Sequence, residues 1–333
     1  MASVFLATTS DKAICGDWWT DFSRLKRSAA ACNSPIHTLV DVPEGADVIV
    51  FADSSSSTQS DVRAHPYCRE FYNRVFIYST RDNDIPFLPG VYAGAEKRWH
   101  LRSYMRAGFY IKVIDHDWIQ PTPIDREARY LFSFCGAFDT HPLRSRIGKL
   151  RSNRAIIKDT SKDEGRGFGK SADIYRRWQN DYFESIRDSM FILCPRGVAP
   201  SSYRIFEAMK AGRVPVIVAD AWVPPLGPDW NEFSLQVSES HVEELPDLLE
   251  NAADRALEMG RQARQVWQDW FSAEQAFQTI VTWCLQLKEM RQSQGKFSHY
   301  RPLIQLARPL FFRHVVLASV KKKIRRLPPS RLG

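Results

Sequence analysis

Short apolar runs recur along the first two thirds of this 333-residue chain, each cut off by glycine, proline or small polar residues. Residues 47–51, 74–78, 110–113 and 130–134 are too short for helices and rich in β-branched and aromatic side chains, so they predict strands. Helical or loop material separates them, the alternation expected of an α/β fold. The serine run at 54–57 reads as a loop at a strand end, and the polar, glycine-rich stretch 159–170 as a mobile loop. Residues 172–190 read as a helix leading into the next apolar run. Beyond Trp230 the pattern turns helical, with i, i+3, i+4 spacing over 243–251, 253–270 and 273–290. In the last of these Phe277, Ile280, Val281 and Cys284 make one stripe, the pattern of a face packed on a core.

The richest stretch is 191–230. Phe191-Ile192-Leu193 predicts a buried strand that breaks at Cys194-Pro195-Arg196-Gly197 into a loop. Ser201 or Ser202 is placed to cap a helix from Tyr203 to about Ala211, and Gly212 to stop it. Residues 214–218 follow as a second buried strand. Strand, loop, helix and strand in so short a span is a βαβ unit, which builds a parallel sheet. Its loop and helix start lie at the carboxyl edge of the sheet, where open α/β folds bind ligands. Backbone N–H groups favour an anion there. Arg196 and Arg204 add cationic groups of bidentate geometry, and Ser201 and Ser202 add hydroxyl donors beside Gly197. Glu207 lies one turn further in, where a carboxylate can accept from sugar hydroxyls. Cations beside one carboxylate suit a nucleotide diphosphate bearing a ribose. The same spacing also allows Arg204 and Glu207 to form an ordinary helix pair while Arg196 covers a loop.

This stretch resembles the core motif of the exostosin-type glycosyltransferases. The resemblance runs through Phe191, Leu193, Pro195, Arg196 and Gly197, then Ser202, Arg204, Glu207 and Ala208, then Val214, Pro215, Val216 and Ile217, and ends at Trp222 and Pro225. Arg213 departs from the family's usual cysteine on the flank of the motif. Upstream, 132–136 followed by Leu143-Arg144 resembles the family's F-x-G…R segment. The likeness covers about residues 130 to 250. It implies a GT-B-like fold, two Rossmann-like α/β domains facing a cleft, with a helical C-terminal region. It further implies that Arg204 contacts the donor diphosphate and Glu207 the ribose, with Arg144, Arg196, Gly197, Ser201 and Ser202 as further donor-binding positions. The implied reaction is metal-independent transfer with inversion.

Asp82-Asn83-Asp84 matches the D-x-D pattern with which other glycosyltransferases hold a divalent metal. Such a motif normally comes straight off a strand, whereas Ser79-Thr80-Arg81 intervene here and Pro86 follows, so a loop with Asx-type turns explains it as well. Arg81-Asp82 faintly resembles the family's G-R-D-H segment, with Asn83 where histidine stands. Asp82 or Asp84 is therefore the expected catalytic base, and no metal or other cofactor is expected. The histidines are dispersed and read as structural. Gly165 to Gly169 has the look of a phosphate-binding glycine loop, but no strand leads into it. Six cysteines form no C-x-x-C pair, and Cys135, Cys194 and Cys284 fall in apolar settings, as expected of buried free thiols.

Charge changes the picture only when it is located. The chain has 46 Lys and Arg against 38 Asp and Glu. Nine of the basic residues and no acidic one fall between Arg301 and Gly333, which leaves 37 against 38 before them. A nucleic-acid binder spreads its basic residues over the folded body, so no nucleic-acid partner is expected. In the tail Val316, Leu317, Val320, Ile324 and Leu327 share one helical face, opposite Lys321, Lys322, Arg325 and Arg326. That is the pattern of a helix lying on an anionic membrane surface, although Arg313 and Lys323 interrupt it and a solvated or body-packed terminal helix is the competing reading. The N-terminal residues do not read as a secretory signal, and no run is long enough to span a bilayer. The expected location is the cytoplasm, with the tail on the inner face of a membrane.

The chain is thus expected to divide into an acceptor domain (1–125), a nucleotide-sugar-binding domain (126–295) and a basic amphipathic tail (296–333). Its expected function is glycosyl transfer from a nucleotide-diphosphate sugar, with UDP as the nucleotide, to a glycan or lipid-linked acceptor. The competing reading is a non-catalytic protein of the same fold that binds a sugar nucleotide or glycan.

Overall fold

The computed structural model describes residues 1–9, 20–52, 59–82, 84–121, 128–163 and 172–293. The serine run, Asn83, the glycine loop at 165–169 and the basic tail lie outside these residues. Two parallel sheets organise the chain. The first has the order β2-β1-β3-β4-β5-β6, with β1 Ala2–Ala7, β2 His37–Leu39, β3 Val48–Ala52, β4 Val75–Ser79, β5 Gly90–Tyr92 and β6 Met105–Ala107. Every pairing in it is parallel. Helices α1 (Asp21–Ala31), α2 (Gln59–Ala64) and α3 (Pro66–Glu70) connect these strands. All five residues of both β3 and β4 are buried, as expected of strands covered on both faces.

The second sheet has the order β11-β10-β9-β7-β8, with β7 Tyr130–Gly136, β8 Ala155–Asp159, β9 Ser189–Pro195, β10 Val214–Val218 and β11 Leu235–Val237. It too is parallel throughout. Its helices are α4 (Pro142–Ile147), α5 (Ala172–Arg187), α6 (Tyr203–Ala211), α7 (Trp230–Phe233), α8 (Leu245–Ala252) and α9 (Ala256–Val266), and α10 (Ala276–Ser293) follows them in the chain. Pro215 is tolerated inside β10 because the pairing with β11 begins only at Val216. The expected cap and stop of α6 are present. Ser202 Oγ accepts from the Arg204 N–H, and Gly212 adopts φ 74°, the left-handed conformation that ends a helix at glycine.

Two expectations change. Residues 110–113 are not a strand: Ile111–Asp115 is a 3-10 helix. Its apolar residues Ile111, Val113 and Ile114 are buried while Lys112 is not, which satisfies a short strand pattern and a tight helical turn equally. The second concerns α10, placed by sequence with the second domain. It packs against the first unit. Ser28 Oγ accepts from the Phe277 N–H at 2.9 Å, and Gln278 exchanges two hydrogen bonds with the His37 backbone at 2.8 and 3.2 Å. The stripe Phe277, Ile280, Val281 and Cys284 is buried there, as its spacing predicts.

The two units share one apolar cluster. Val50 and Phe76 belong to it from the first, and Ile205, Phe206 and Phe271 from the second. The Phe109 ring joins them, 5.8 Å from Phe206 and 5.1 Å from Phe271. Lys210 Nζ donates across the same junction to the carbonyls of Val113, Ile114 and His116.

Candidate active site

In the second sheet the strand order reverses between β7 and β9: β8 lies on one side of that pair and β10 on the other. Open parallel sheets bind ligands outside the carboxyl ends of strands at such a switch point. A cavity of about 220 Å³ lies there. Its walls include Gly136 at the end of β7, Ala137 after it, Gly197, Ser201 and Ser202 after β9, and Asp82 and Tyr110 from the first unit.

Arg204 and Arg144 form the cationic side. Arg204 is 4% exposed; its Nη2 donates to the Cys135 carbonyl at 2.6 Å, and its guanidinium lies 4.9 Å from the centroid of the Phe134 ring. Arg204 Nε is buried with no protein partner. Gly136 is required for this approach, since a Cβ there would lie 2.6 Å from Arg204 Nη2. Burial opposes the charge of Arg204, but Tyr182, Tyr203, Cys194 and Glu207 outweigh it and hold its pKa above the ordinary value. Arg144 is a staple. Its Nε donates to the Arg196 carbonyl at 2.9 Å, Nη1 to Ala137 at 3.1 Å and Nη2 to Pro195 at 3.2 Å. It thereby ties the loop after β7 to the end of β9 while still lining the cavity.

Ser201 is 6% exposed, lines the cavity, and its hydroxyl has no protein partner. Ser202 is spent on capping α6. Arg196 is not brought into the cavity wall: its side chain turns to Glu239, with Nη1 3.8 Å from Oε1, and its carbonyl serves Arg144.

Glu207 also lies outside the wall. It is 1% exposed; Oε2 accepts from the Tyr182 hydroxyl at 2.6 Å, and Oε1 lies 2.7 Å from His116 Nδ1. Burial pushes this carboxyl up, but the His116 hydrogen bond and charge, the Tyr182 hydrogen bond and Arg204 outweigh it and hold it below the ordinary value. The i, i+3 spacing therefore does not settle into a simple helix pair, because the hydrogen bonds of Arg204 and Glu207 go elsewhere.

Of the two candidate bases only Asp82 reaches the cavity, where its Oδ1 accepts from the Tyr110 hydroxyl at 3.0 Å. Asp84 accepts from Ser79 Oγ and lies 3.3 Å from Arg81 Nε, away from the cavity wall. Burial pushes the Asp84 carboxyl up. Among the described residues no group of three or more His, Cys, Asp or Glu is placed to hold a metal ion. Cys135 and Cys194 are buried, and burial pushes both thiols up, that of Cys194 to about 12, so neither supplies a thiolate.

Among the wall residues that sequence reasoning missed are Tyr110, Trp178 and Tyr182. Trp178 and Tyr182 stand one turn apart on α5, and the only signal available was two aromatic residues on one face of a predicted helix.

Residues 110–252 match the family model described as the Exostosin GT47 domain. The chain is 28% identical over 173 residues to the Exostosin-1 homolog of Caenorhabditis elegans, a match covering 47% of this chain and 45% of the relative. It is 34% identical over 135 residues to the probable glucuronoxylan glucuronosyltransferase IRX7 of Arabidopsis thaliana, covering 39% and 29%. The chain thus spans less than half the length of these curated relatives. Among solved structures, Anabaena Alr3699/HepE in complex with UDP aligns over 88% of this chain and 100% of that one, at 12% identity and a TM-score of 0.40. The segment 110–252 contains α6 and most of the cavity wall, and it is by this segment that the chain is similar to the exostosin-type glycosyltransferases.

Proposed function

We propose that the chain transfers a glycosyl group from a nucleoside diphosphate sugar, with UDP as the nucleotide, to a hydroxyl of a glycan or lipid-linked acceptor. The observation that carries this reading is the pair of buried, unspent donors, Arg204 Nε and Ser201 Oγ, in the wall of a cavity at the switch point and the start of α6. Donors that find no acceptor in the protein suit a ligand that brings several, and a diphosphate does.

In the proposed reaction the bond between the anomeric carbon and the diphosphate oxygen breaks as the acceptor oxygen attacks from the opposite face. Asp82 takes the acceptor proton across the cavity. Arg204, Ser201 and the N-terminus of α6 meet the charge that develops on the departing diphosphate, so that catalysis rests on fixed dipoles and a guanidinium. Arg144 and Gly197 hold the loops in place, and Glu207 anchors Tyr182 behind them.

The test is transfer from a panel of nucleotide sugars with and without a chelator. Turnover that survives chelation and is abolished in Asp82→Asn supports the reading. Activity lost in chelator and restored by manganese would move the chemistry to a metal held by Asp82 and Asp84. A nucleotide sugar that raises the melting temperature with no turnover on any acceptor would favour the non-catalytic binding protein.

A further inference from the structure

We propose that Trp178 is a further ligand-binding residue whose indole N–H donates to an oxygen of the diphosphate. The proposal rests on the nucleoside diphosphate reading above. Trp178 lines the cavity, and its Nε1 is buried with no protein partner. Buried indole N–H groups ordinarily find an acceptor, so an orphan at a cavity wall marks the place where a ligand supplies one.

The ring is held in position by its neighbours. Tyr175 and Tyr182 precede and follow it on one face of α5. Their rings stack against it at 6.1 Å and 17°, and at 5.6 Å and 21°. Trp118 of the first unit meets it edge-on at 6.5 Å. Tyr182 is itself fixed by its hydrogen bond to Glu207. These three rings fix the orientation of the indole, and none of them offers its N–H a hydrogen-bond acceptor.

The chemistry of the orphans selects the ligand group. Among the described residues, three side-chain atoms of the cavity lining are buried without a protein partner: Trp178 Nε1, Ser201 Oγ and Arg204 Nε. Two of them only donate, and the serine hydroxyl can turn to donate. A sugar hydroxyl brings a donor with each acceptor, whereas phosphoryl oxygens bring acceptors alone. The set therefore fits the diphosphate better than the sugar. Trp178 reaches it from α5, a different side from α6.

Trp178→Phe keeps the stacked ring and removes only the N–H. UDP and uridine, measured by calorimetry and competition on the intact chain, are the probes. The expected result is a Kd for UDP weakened roughly tenfold, within the range for one hydrogen bond to a charged group, with uridine unchanged. A substitution that merely loosened the fold would weaken both, so the UDP-over-uridine ratio is the readout. An unchanged ratio overturns the proposal. In the ¹⁵N-labelled protein, the indole resonance that disappears in Trp178→Phe should shift on adding UDP; a stationary resonance overturns the proposal as well. Arg204→Met separates the two levels of inference. If it abolishes UDP binding while Trp178→Phe leaves the ratio intact, only the role of Trp178 falls. If neither substitution affects UDP binding, the diphosphate reading falls and this proposal with it.

Discussion

Arg204 and Glu207 stand one turn apart in a nine-residue helix, and their surroundings give them different work. Arg204 keeps one N–H without a protein acceptor in a cavity wall, so Arg204→Met, which preserves most of the side-chain volume, should act on the ligand. The expected loss is about 1.5–3 kcal/mol of UDP binding, with a much smaller change in denaturant stability. Glu207 is committed to Tyr182 and His116, so Glu207→Ala strands the buried Tyr182 hydroxyl and the half-buried His116 Nδ1. Its cost should appear in denaturant unfolding, at about 1–3 kcal/mol. The pH dependence of stability has a definite sign. The folded pKa of Glu207 lies below its ordinary value of 4.5, so the carboxylate stabilises the fold above that pH. This contribution is lost as pH falls below 4.5 and through the folded pKa. Glu207→Gln should therefore flatten the decline of stability on acidification below 4.5, and an equally steep decline in the variant would show that the Glu207 carboxylate does not stabilise the fold as described.

At the scale of elements, the sheets were legible where a strand was buried on both faces and bounded by strong breakers. The strands β3, β4, β7, β9 and β10 announce themselves as apolar runs, and α6 is framed by Ser202 and Gly212. The three-residue strands β2, β5, β6 and β11 do not, because so few residues show no period. The site follows the same division. Arg144, Gly197, Ser201 and Arg204 lie near strand ends and loops whose residue types declare a cationic, anion-binding edge. Tyr110, Trp178 and Tyr182 reach the cavity only through the way the units and α5 pack, which no local pattern records. Arg196 failed in the opposite direction: its residue type suggests an anion ligand, but its side chain turns to Glu239. Gly136 shows how an element end can control the site. Gly136→Ala would place a methyl 2.6 Å from Arg204 Nη2, so the guanidinium must move and its bond to the Cys135 carbonyl must weaken. UDP affinity should fall several-fold while the sheet stays intact, which calorimetry and circular dichroism on the same sample would check. Unchanged affinity would mean that Arg204 binds from more than one position.

At the scale of the whole molecule, α10 ties the second unit back to the first. It contributes buried Phe277, Ile280, Val281 and Cys284 and is described as far as Ser293. Truncation ahead of Ala276 should therefore unfold or strongly destabilise the first unit, because the partners of Ser28 and His37 go with it. Truncation after Ser293 should leave these contacts and UDP binding in place, because α10 and every donor contact proposed above lie before that point. What the second truncation removes is a segment with nine basic and no acidic residues after residue 300, beside a body whose charges nearly balance. None of the described helices is long and apolar enough to cross a membrane. We propose that the tail instead rests on an anionic membrane surface, where a lipid-linked acceptor would be found. Each basic residue near such a surface contributes about 1 kcal/mol, and salt screens the attraction over roughly 10 Å at 0.1 M. The intact chain should thus sediment with vesicles containing phosphatidylserine at low salt and release as salt rises. The chain ending at Ser293 should stay in solution, with its UDP affinity and melting temperature unchanged. An intact chain that ignores such vesicles at low salt refutes the membrane role, and a truncated chain that melts early would place part of the tail in the fold.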